Sequence, residues 1–416
     1  MLFVYRFIIN IILILSPLII LTRIIKKKEN FFRVKEKLGF ISIKRKKGKL
    51  IWFHGASVGE LQSIVPLLEK LEKFKDISQI LITSNTLSSS KIISNFKFKK
   101  VTHQFFPVDN NEIVKKFVNY WKPSVALFID SEIWPNMIFN LNSNKIPMVL
   151  INGRITKKSY SRWIRVKKFS NTIFNKFNLC LPSNKETALY LKKLGAQNIK
   201  YFGNLKYAQS ENENIQLNKD IIKFFHKKTV WCASSTHYPE EKFVGNVHKR
   251  LKKKYKNLIT VIIPRHIERE NEIKKELNEM GLKVKSHEPK SSIKKNTDIY
   301  LVNSFGKTKS FYSIINNVFL GGSLINHGGQ NPLEAVRYNC NIIHGPHTSN
   351  FNEIYNFLNH QQISKKIQNL NQATKWLEKH FSSKKSKKNI KNKIILIGQK
   401  ILNHNINEIK IILKKK

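Results

Sequence analysis

Short apolar runs alternate with helical patterns along most of this chain, and the alternation occurs in two blocks. Such runs predict buried strands, and apolar residues recurring every three or four positions predict helices. Strands alternating with helices form parallel sheets, so we predict two consecutive doubly wound α/β domains with a cleft between them, where ligands commonly bind. The polar stretch 210–220 lacks an apolar period and is predicted to be a linker. The predicted strands are 50–53, 79–83, 102–107, 125–129, 147–151, 179–181 and 199–202 in the first block, and 230–233, 258–263, 299–302, 318–320 and 342–343 in the second.

An uncharged, mostly apolar segment lies between Arg6 and Arg23, and lysines follow at 26–28. A spanning helix needs about 20 apolar residues, so this segment spans only if the arginine side chains reach the interface. By the positive-inside rule, the lysines and the remaining chain face the cytoplasm. No small-residue cleavage site follows, so we predict a retained anchor over 1–28 that spans the membrane or lies in its interface. A buried core helix is the alternative.

The chain is strongly basic, with a formal net charge of +48 over 416 residues. Such an excess indicates an anionic partner, namely nucleic acid, an acidic membrane surface or a phosphorylated substrate. The lysines are spread along the whole sequence and no nucleic-acid reader module is recognisable, so we expect no nucleic acid. The three cysteines form no CxxC pair and no Asp-x-Asp motif occurs, so we expect no disulfide framework and no metal.

The segment from Leu50 to Glu60 predicts a strand, a tight turn of small residues and the start of a helix. It places the carboxylate of Glu60 outside the carboxyl end of a strand, where open α/β sheets bind ligands. There it can serve as a general base toward a substrate hydroxyl. Complementing the positive end of its own helix is the other interpretation, and the residues alone do not separate the two.

Glycines are dense between Phe319 and Ala335, after a predicted strand. Glycine lets backbone N–H groups approach an anion without a Cβ in the way. Pro332 indicates the start of a helix whose amino end suits phosphate, and Glu334 is placed to accept hydrogen bonds from a ribose. An ordinary structural turn is the alternative.

Polar side chains follow three other predicted strands. The hydroxyls of Ser234, Ser235 and Thr236 either hold a phosphate or cap a helix. Pro264 and Arg265 follow the predicted strand 258–263, and Arg265 is placed to pair with an anion or stack on a base. Lys206 puts an ammonium after the last predicted strand of the first block.

Taken together, these segments resemble one family, the 3-deoxy-D-manno-octulosonic acid (Kdo) transferases of bacterial lipopolysaccharide synthesis. The resemblance runs through nearly the whole chain in the same order. It is carried by the anchor and by WFHGASVGE (52–60), DSEIWPN (130–136), INGRI (151–155), GNLKY (203–207), SSTHYPEE (234–241), PRHIER (264–269), GGSLINHGGQNPLEA (321–335) and GPHTSNF (345–351).

This resemblance implies a GT-B fold, in which two Rossmann-like domains face each other across a cleft. An acceptor domain at 29–209 and a donor domain with a basic helical tail at 210–416 would follow the anchor. It implies an inverting, metal-independent transfer of Kdo from CMP-Kdo to a lipid A precursor (lipid IVA), without a cofactor, on the cytoplasmic side of the inner membrane and its anionic leaflet.

Residue roles follow from the same resemblance. Glu60 matches the catalytic base, and Asp130 and Lys206 match transition-state stabilisers. The CMP contacts match Pro264, Arg265, Phe305, Gly306, Lys307, Asn331, Pro332, Leu333 and Glu334. To these the strand-end analysis adds Ser234, Ser235, Thr236, Gly321 and Gly322.

Two departures from the family pattern bear on these roles. The family usually has a glutamate where this chain has Asp130, which is one methylene shorter. It also tends to have Met-Gly-Glu at 305–307, so a contact there must use the backbone. Two other functions stay open, namely a GT-B transferase that uses a UDP-sugar and a basic binding protein that has lost catalysis.

Overall fold

The computed structural model describes residues 1–26, 29–209, 217–287, 296–304, 306–381 and 388–414. The chain forms two compact units, Met1–Ser210 with Ile395–Lys416 and Glu211–Ile394. The sequence had assigned the complete tail to the second domain. Its last part belongs to the first unit because apolar residues such as Ile401, Ile406 and Leu413 join that unit's core.

The first unit contains a six-stranded parallel sheet with strand order β3-β2-β1-β4-β5-β6. Strand β1 is buried on both faces, because Leu50 and Trp52 pack into one apolar layer and Ile51 and Phe53 into the other. Helices on both sides of a parallel sheet produce this pattern. The strands are β1 Lys49–His54, β2 Ile77–Ser84, β3 Val101–Phe105, β4 Val125–Ile129, β5 Met148–Gly153 and β6 Leu179–Pro182.

The second unit contains a seven-stranded parallel sheet with strand order β13-β12-β11-β7-β8-β10-β9. Its core is a separate apolar cluster that includes Trp231, Phe319 and Leu377. The strands are β7 Thr229–Thr236, β8 Leu258–Pro264, β9 Val284–Ser286, β10 Ile299–Leu301, β11 Asn317–Leu320, β12 Asn341–His344 and β13 Ser364–Lys366.

Helices connect the strands in both units, which confirms the predicted doubly wound α/β class. The first unit contains α1 Leu2–Ile25, α2 Val58–Leu71, α3 Leu87–Ser94, α4 Asn111–Trp121, α5 Pro135–Ser143, α6 Lys157–Arg165, α7 Lys167–Phe174 and α8 Lys185–Lys193. They are followed by α9 Lys219–His226, α10 Glu240–Lys254, α11 Glu270–Glu279, α12 Thr308–Tyr312, α13 Leu333–Arg337, α14 Asn352–His360, α15 Leu370–Phe381 and α16 Lys388–Lys414.

One predicted strand, 199–202, is wrong. Ile199 makes a single bridge to Cys180, after which the chain leaves the sheet. Phe202 stacks on His404 of α16 instead, with ring centroids 4.8 Å apart. The predicted linker 210–220 is also too long, since α9 begins at Lys219. Residues 210–216 of this linker lie outside the described residues.

Helix α1 is the one helix in the described parts of the chain that is long and apolar enough to cross a membrane, by length and composition. Most of its apolar side chains are exposed, and none of them is buried. Its first turns nevertheless bond to the folded unit. The Tyr5 hydroxyl donates to Asp109 at 2.7 Å, and the Arg6 Nε donates to Asn136 at 2.9 Å.

Candidate active site

Glu60 lies just beyond the carboxyl end of β1, in the first turn of α2. Gly55 begins the connecting turn, where a Cβ would lie 2.9 Å from Ile129 Cδ1. Ser57 caps α2, and the Glu60 carboxylate accepts hydrogen bonds from the Ser57 hydroxyl at 2.7 Å and the Ala56 N–H at 2.8 Å. Glu60 therefore does take part in capping its helix, as the alternative interpretation had it.

The same carboxylate has the proton affinity of a base that works near neutral pH. Burial raises the pKa of Glu60 to about 7, although the hydrogen bond from Ser57 acts to lower it. The negative charges of Glu132 and Asp130 raise this pKa further. The pKa of a carboxylate that caps a helix at an exposed position would not be raised in this way, because its hydrogen bonds favour the charged form.

Asp130 lies directly after β4, the strand next to β1 in the sheet. Between these strands the strand order reverses direction, and ligands of doubly wound sheets bind at such a switch point. The backbone of Asp130 has φ 61°, in the left-handed region. Burial raises the pKa of Asp130, and the cations Arg154 and Lys206 oppose that rise.

Lys206 lies in a short 3-10 turn, Leu205–Ala208, which follows α8. The turn is fixed from two sides, because the Asn204 side chain accepts from the Lys206 N–H and the Asn152 side chain accepts from the Leu205 N–H, both at 2.9 Å. Burial lowers the pKa of Lys206, and the charges of Asp130 and Glu60 act in the opposite direction. The structure thus brings the three predicted catalytic side chains within electrostatic reach of one another.

No role is predicted from the sequence for Glu132 or His54, which lie beside this cluster. His54 is fully buried, and its Nε2 lies 3.1 Å from Glu132 Oε2. The Trp134 Nε1–H donates to the same oxygen at 2.8 Å. The Glu132 side chain is thereby held in one orientation. The quoted motifs contain both residues, but nothing in them indicates that they meet.

In the second unit, the glycine-rich turn after β11 surrounds an internal carboxylate. Glu240 Oε2 accepts from Gly322 N–H at 2.7 Å and from His237 N–H at 3.0 Å. Glu240 Oε1 accepts from Ser323 and Leu324 N–H, both at 3.0 Å. These amides form an anion cradle of the kind predicted, yet Glu240 fills it, so the cradle organises the turn rather than offering these amides to a ligand.

The three hydroxyl residues that were predicted to form a turn are the last residues of β7, and they are only partly available to a ligand. Ser234 is buried, and its hydroxyl accepts from the Tyr312 hydroxyl at 2.8 Å. Ser235 is half-buried with φ 56°. Thr236 is buried, and its hydroxyl has no hydrogen-bond partner among the residues that the structure describes. Gly321 donates its N–H to the Ser234 carbonyl at 2.9 Å and packs against this turn, where a Cβ would lie 2.6 Å from Thr236 Cα.

The remaining predicted donor residues lie at the carboxyl ends of neighbouring strands or just after them. Arg265 is exposed and follows the buried Pro264 at the end of β8. Gly306 has φ 76° with open space around it, which leaves its backbone accessible, and Lys307 precedes α12. Phe305 lies outside the described residues.

The segment 331–334 leads into α13, which begins at Leu333 and has five residues. The Asn331 side chain accepts from the Leu333 N–H at 3.2 Å, and Pro332 and Leu333 are buried. Glu334 is half-buried. Because few peptide dipoles align in so short a helix, its amino end is a weaker phosphate site than the sequence predicted.

The family described as 3-Deoxy-D-manno-octulosonic-acid transferase (kdotransferase) matches residues 32–209, a range that contains Glu60, Asp130 and Lys206. A 3-deoxy-D-manno-octulosonic acid transferase of Rickettsia bellii is 33% identical over 354 residues, which cover 84% of this chain and 84% of the relative. The chain belongs to the Kdo transferase family. A probable mitochondrial 3-deoxy-D-manno-octulosonic acid transferase of Arabidopsis thaliana is 31% identical over 389 residues, covering 88% and 86% of the two chains.

Solved structures agree on the fold. A glycosyltransferase from Rickettsia africae matches with a TM-score of 0.61 at 12% identity and covers 89% of this chain and 100% of that one. A putative UDP-N-acetylglucosamine 2-epimerase from Listeria monocytogenes matches with a TM-score of 0.61 at 11% identity, covering 89% and 98%. The predicted fold class, two Rossmann-like domains of the GT-B type, is therefore confirmed. Membership of the Kdo transferase family, shown by the sequence relatives, makes this chain a glycosyltransferase.

Proposed function

We propose that this chain transfers Kdo from CMP-Kdo to lipid IVA in lipopolysaccharide core synthesis, by an inverting reaction that uses no metal. The observation that carries the proposal is the position of Glu60 at the switch point of the first sheet, with a pKa raised by burial to about 7. Membership of the Kdo transferase family supports the sugar, and it supports a sugar-nucleotide donor and a glycolipid acceptor as classes of substrate.

The reaction proceeds by a single displacement. The Glu60 carboxylate takes the proton of a primary hydroxyl on the acceptor, and the oxygen attacks the anomeric carbon of Kdo. The bond from that carbon to the CMP phosphate breaks, and the electron pair leaves with CMP. Because the nucleophile enters opposite the leaving group, the anomeric configuration inverts.

Fixed charges stabilise the transition state of this displacement. Lys206 and Asp130 lie in one cluster with Glu60, and Arg154 adds a second cation. In the second unit, CMP contacts are assigned to Pro264, Arg265, Gly306, Lys307 and the segment Asn331–Glu334. Preorganised donors of this kind act on developing charge without reorganising during the reaction.

We propose further that α1 anchors the enzyme in the plane of the inner membrane's anionic cytoplasmic leaflet. The bonds from Tyr5 and Arg6 hold the amino end of α1 on the folded unit. At its other end, Arg23 donates to Glu29 at 2.7 Å, and Glu29 also accepts from Lys37 at 2.6 Å. An α-helix rises about 1.5 Å per residue, so a spanning α1 would place Tyr5 on the opposite side of the bilayer from the folded unit. That position would break these bonds.

A protease-cleavable tag placed before Met1 tests this orientation. We expect cleavage in inverted inner-membrane vesicles and protection in intact spheroplasts, because both ends of α1 stay on the cytoplasmic side. A second tag after Lys416 serves as the cytoplasmic control. Cleavage of the amino-terminal tag in spheroplasts alone would show that α1 spans.

The proposed reaction is tested by incubating the full-length protein with CMP-Kdo and lipid IVA and analysing the lipid by mass spectrometry. We expect a product heavier by one or more Kdo residues, with release of CMP. UDP-N-acetylglucosamine in place of CMP-Kdo should give no product. Transfer from the UDP-sugar, with none from CMP-Kdo, would support the other GT-B function and contradict this one.

A further inference from the structure

Three histidines meet at the carboxyl edge of the second sheet. His237 follows β7, His266 follows β8 and His327 lies in the turn after β11, and these strands are adjacent in the sheet. The ring centroid of His237 lies 4.3 Å from that of His327 and 5.5 Å from that of His266. The three imidazoles therefore form one cluster although they come from distant parts of the sequence.

The centre of this cluster is rigidly held. His237 is only 8% exposed, and its Nε2 lies 3.4 Å from Gln330 Nε2. Its backbone N–H is bonded to Glu240, which also fixes the turn that leads to His327. An additional Cβ on Gly322 would lie 3.3 Å from both His237 and His327, so the turn packs directly against the two rings.

Two arginines lie near the cluster, and the nearby acids are engaged elsewhere. Arg265 and Arg269 both act on His237, and burial together with these neighbours lowers its pKa to about 4. Arg269 is paired with Glu241 at 3.1 Å. The carboxylate of Glu240 is occupied by four backbone N–H groups.

His266, the outermost histidine, has a carboxylate beside its ring. His266 Nδ1 lies 3.4 Å from Glu268 Oε1, and both side chains are more than half exposed. Within the described parts of the chain, no carboxylate lies within ion-pair distance of His237 or His327. The two inner imidazoles thus lie near Arg265 without a carboxylate paired to either ring.

We propose that His237, His266 and His327, together with Arg265, form the subsite that binds an oxyanion of the donor, either its phosphate or the carboxylate of its sugar acid. This assignment rests on the proposed function, which places the nucleotide sugar on the second unit. Neutral imidazoles donate one N–H each, and protonated imidazoles add charge-assisted bonds.

Binding an oxyanion here has a thermodynamic consequence. The neighbouring histidines and arginines disfavour protonation of His237, and an anion placed among them opposes that effect. His237, neutral at pH 7 in the free protein, therefore takes up a proton when the anion binds. The amount of proton uptake is measurable because it makes the binding enthalpy depend on the ionisation enthalpy of the buffer.

The test is calorimetric titration of the full-length protein at pH 7, in two buffers with different ionisation enthalpies. The ligands are CMP, cytidine and free Kdo. We expect CMP to bind with net proton uptake, and His237→Gln to lower both the uptake and the CMP affinity, the latter by about tenfold or more, since charge-assisted bonds are lost. His226→Gln, an exposed histidine on α9, is the matched control and should match the wild type.

The ligand series identifies which oxyanion is bound. If His237→Gln weakens CMP but leaves Kdo binding unchanged, the subsite holds the phosphate, whereas selective weakening of Kdo assigns it to the carboxylate. Cytidine carries neither group and should bind equally to all variants. His327→Gln, at an exposed position, repeats the test if the melting curve of His237→Gln shows misfolding.

Unchanged CMP and Kdo affinity and proton uptake in a folded His237→Gln or His327→Gln variant would overturn the subsite. Failure of the proposed function looks different. In that case the wild type would bind UDP in place of CMP, and the subsite would be upheld if UDP binding depended on His237 and overturned if it did not.

Discussion

Replacing Glu60 by glutamine is expected to reduce Kdo transfer by a factor of about 100 to 10,000, the range that a positioned general base contributes. The amide keeps the size of the side chain but cannot take the acceptor proton. Its amide oxygen can still accept from the Ala56 N–H, and its NH2 group can donate to the Ser57 hydroxyl in place of the second bond. The variant should therefore fold normally, and its affinity for CMP should equal that of the wild type.

Steady-state kinetics across pH make this expectation sharper. Glu60 must be ionised to act, and its pKa is raised to about 7, so wild-type kcat/KM should increase as the pH rises through about 7. The residual kcat/KM of Glu60→Gln should not show this increase with pH. Glu69→Gln makes the same chemical change elsewhere on α2 and should keep both the rate and the profile. Near-normal turnover of Glu60→Gln would refute the base assignment.

Replacing Lys206 by alanine is expected to lower kcat by a factor of about 100 to 1,000, the cost of removing one preorganised electrostatic stabiliser. The ammonium is half-buried beside Asp130, Arg154 and Glu60. Burial strengthens its electrostatic effect because water screens it less. Since the stabilisation acts on the transition state, KM should change far less than kcat.

The same variant should also move the pH profile. Lys206 favours the ionised form of Glu60, so its loss leaves the pKa of that carboxyl higher and shifts the acidic limb of kcat/KM to higher pH. Lys206→Arg retains the charge and should recover part of the rate. Lys193→Ala, at an exposed position at the end of α8, is the matched control. A change confined to KM would instead indicate a role in substrate binding.

Local patterns predicted the central strands of both sheets because these are buried runs bounded by turn residues. Edge strands were harder. Ser364–Lys366 has one buried residue and two exposed lysines, so it shows no apolar run, and Val284–Ser286 is equally short and polar. Both are recognisable only from the partner strands to which they bond.

Long-range side-chain contacts set the limit for the candidate sites. His54 and Glu132 are 78 residues apart, and Glu240 lies 82 residues from Gly322. His54 ends β1 and the other three residues lie in segments that follow strands, yet no local rule indicates which groups bond to each other. The sequence therefore predicts a glycine-rich turn that is open to an anion, although a carboxylate of the same chain already occupies it.

The final helix affects how the protein is made. Ribosomes extend a chain from its amino terminus, and domains generally fold as units while synthesis continues. Ile401, Ile406 and Leu413 complete the apolar interior that contains Leu61 and Phe53. The first unit can therefore complete its core only after α16 has been synthesised. The core of the second unit, which includes Trp231 and Leu377, is synthesised before that helix is finished.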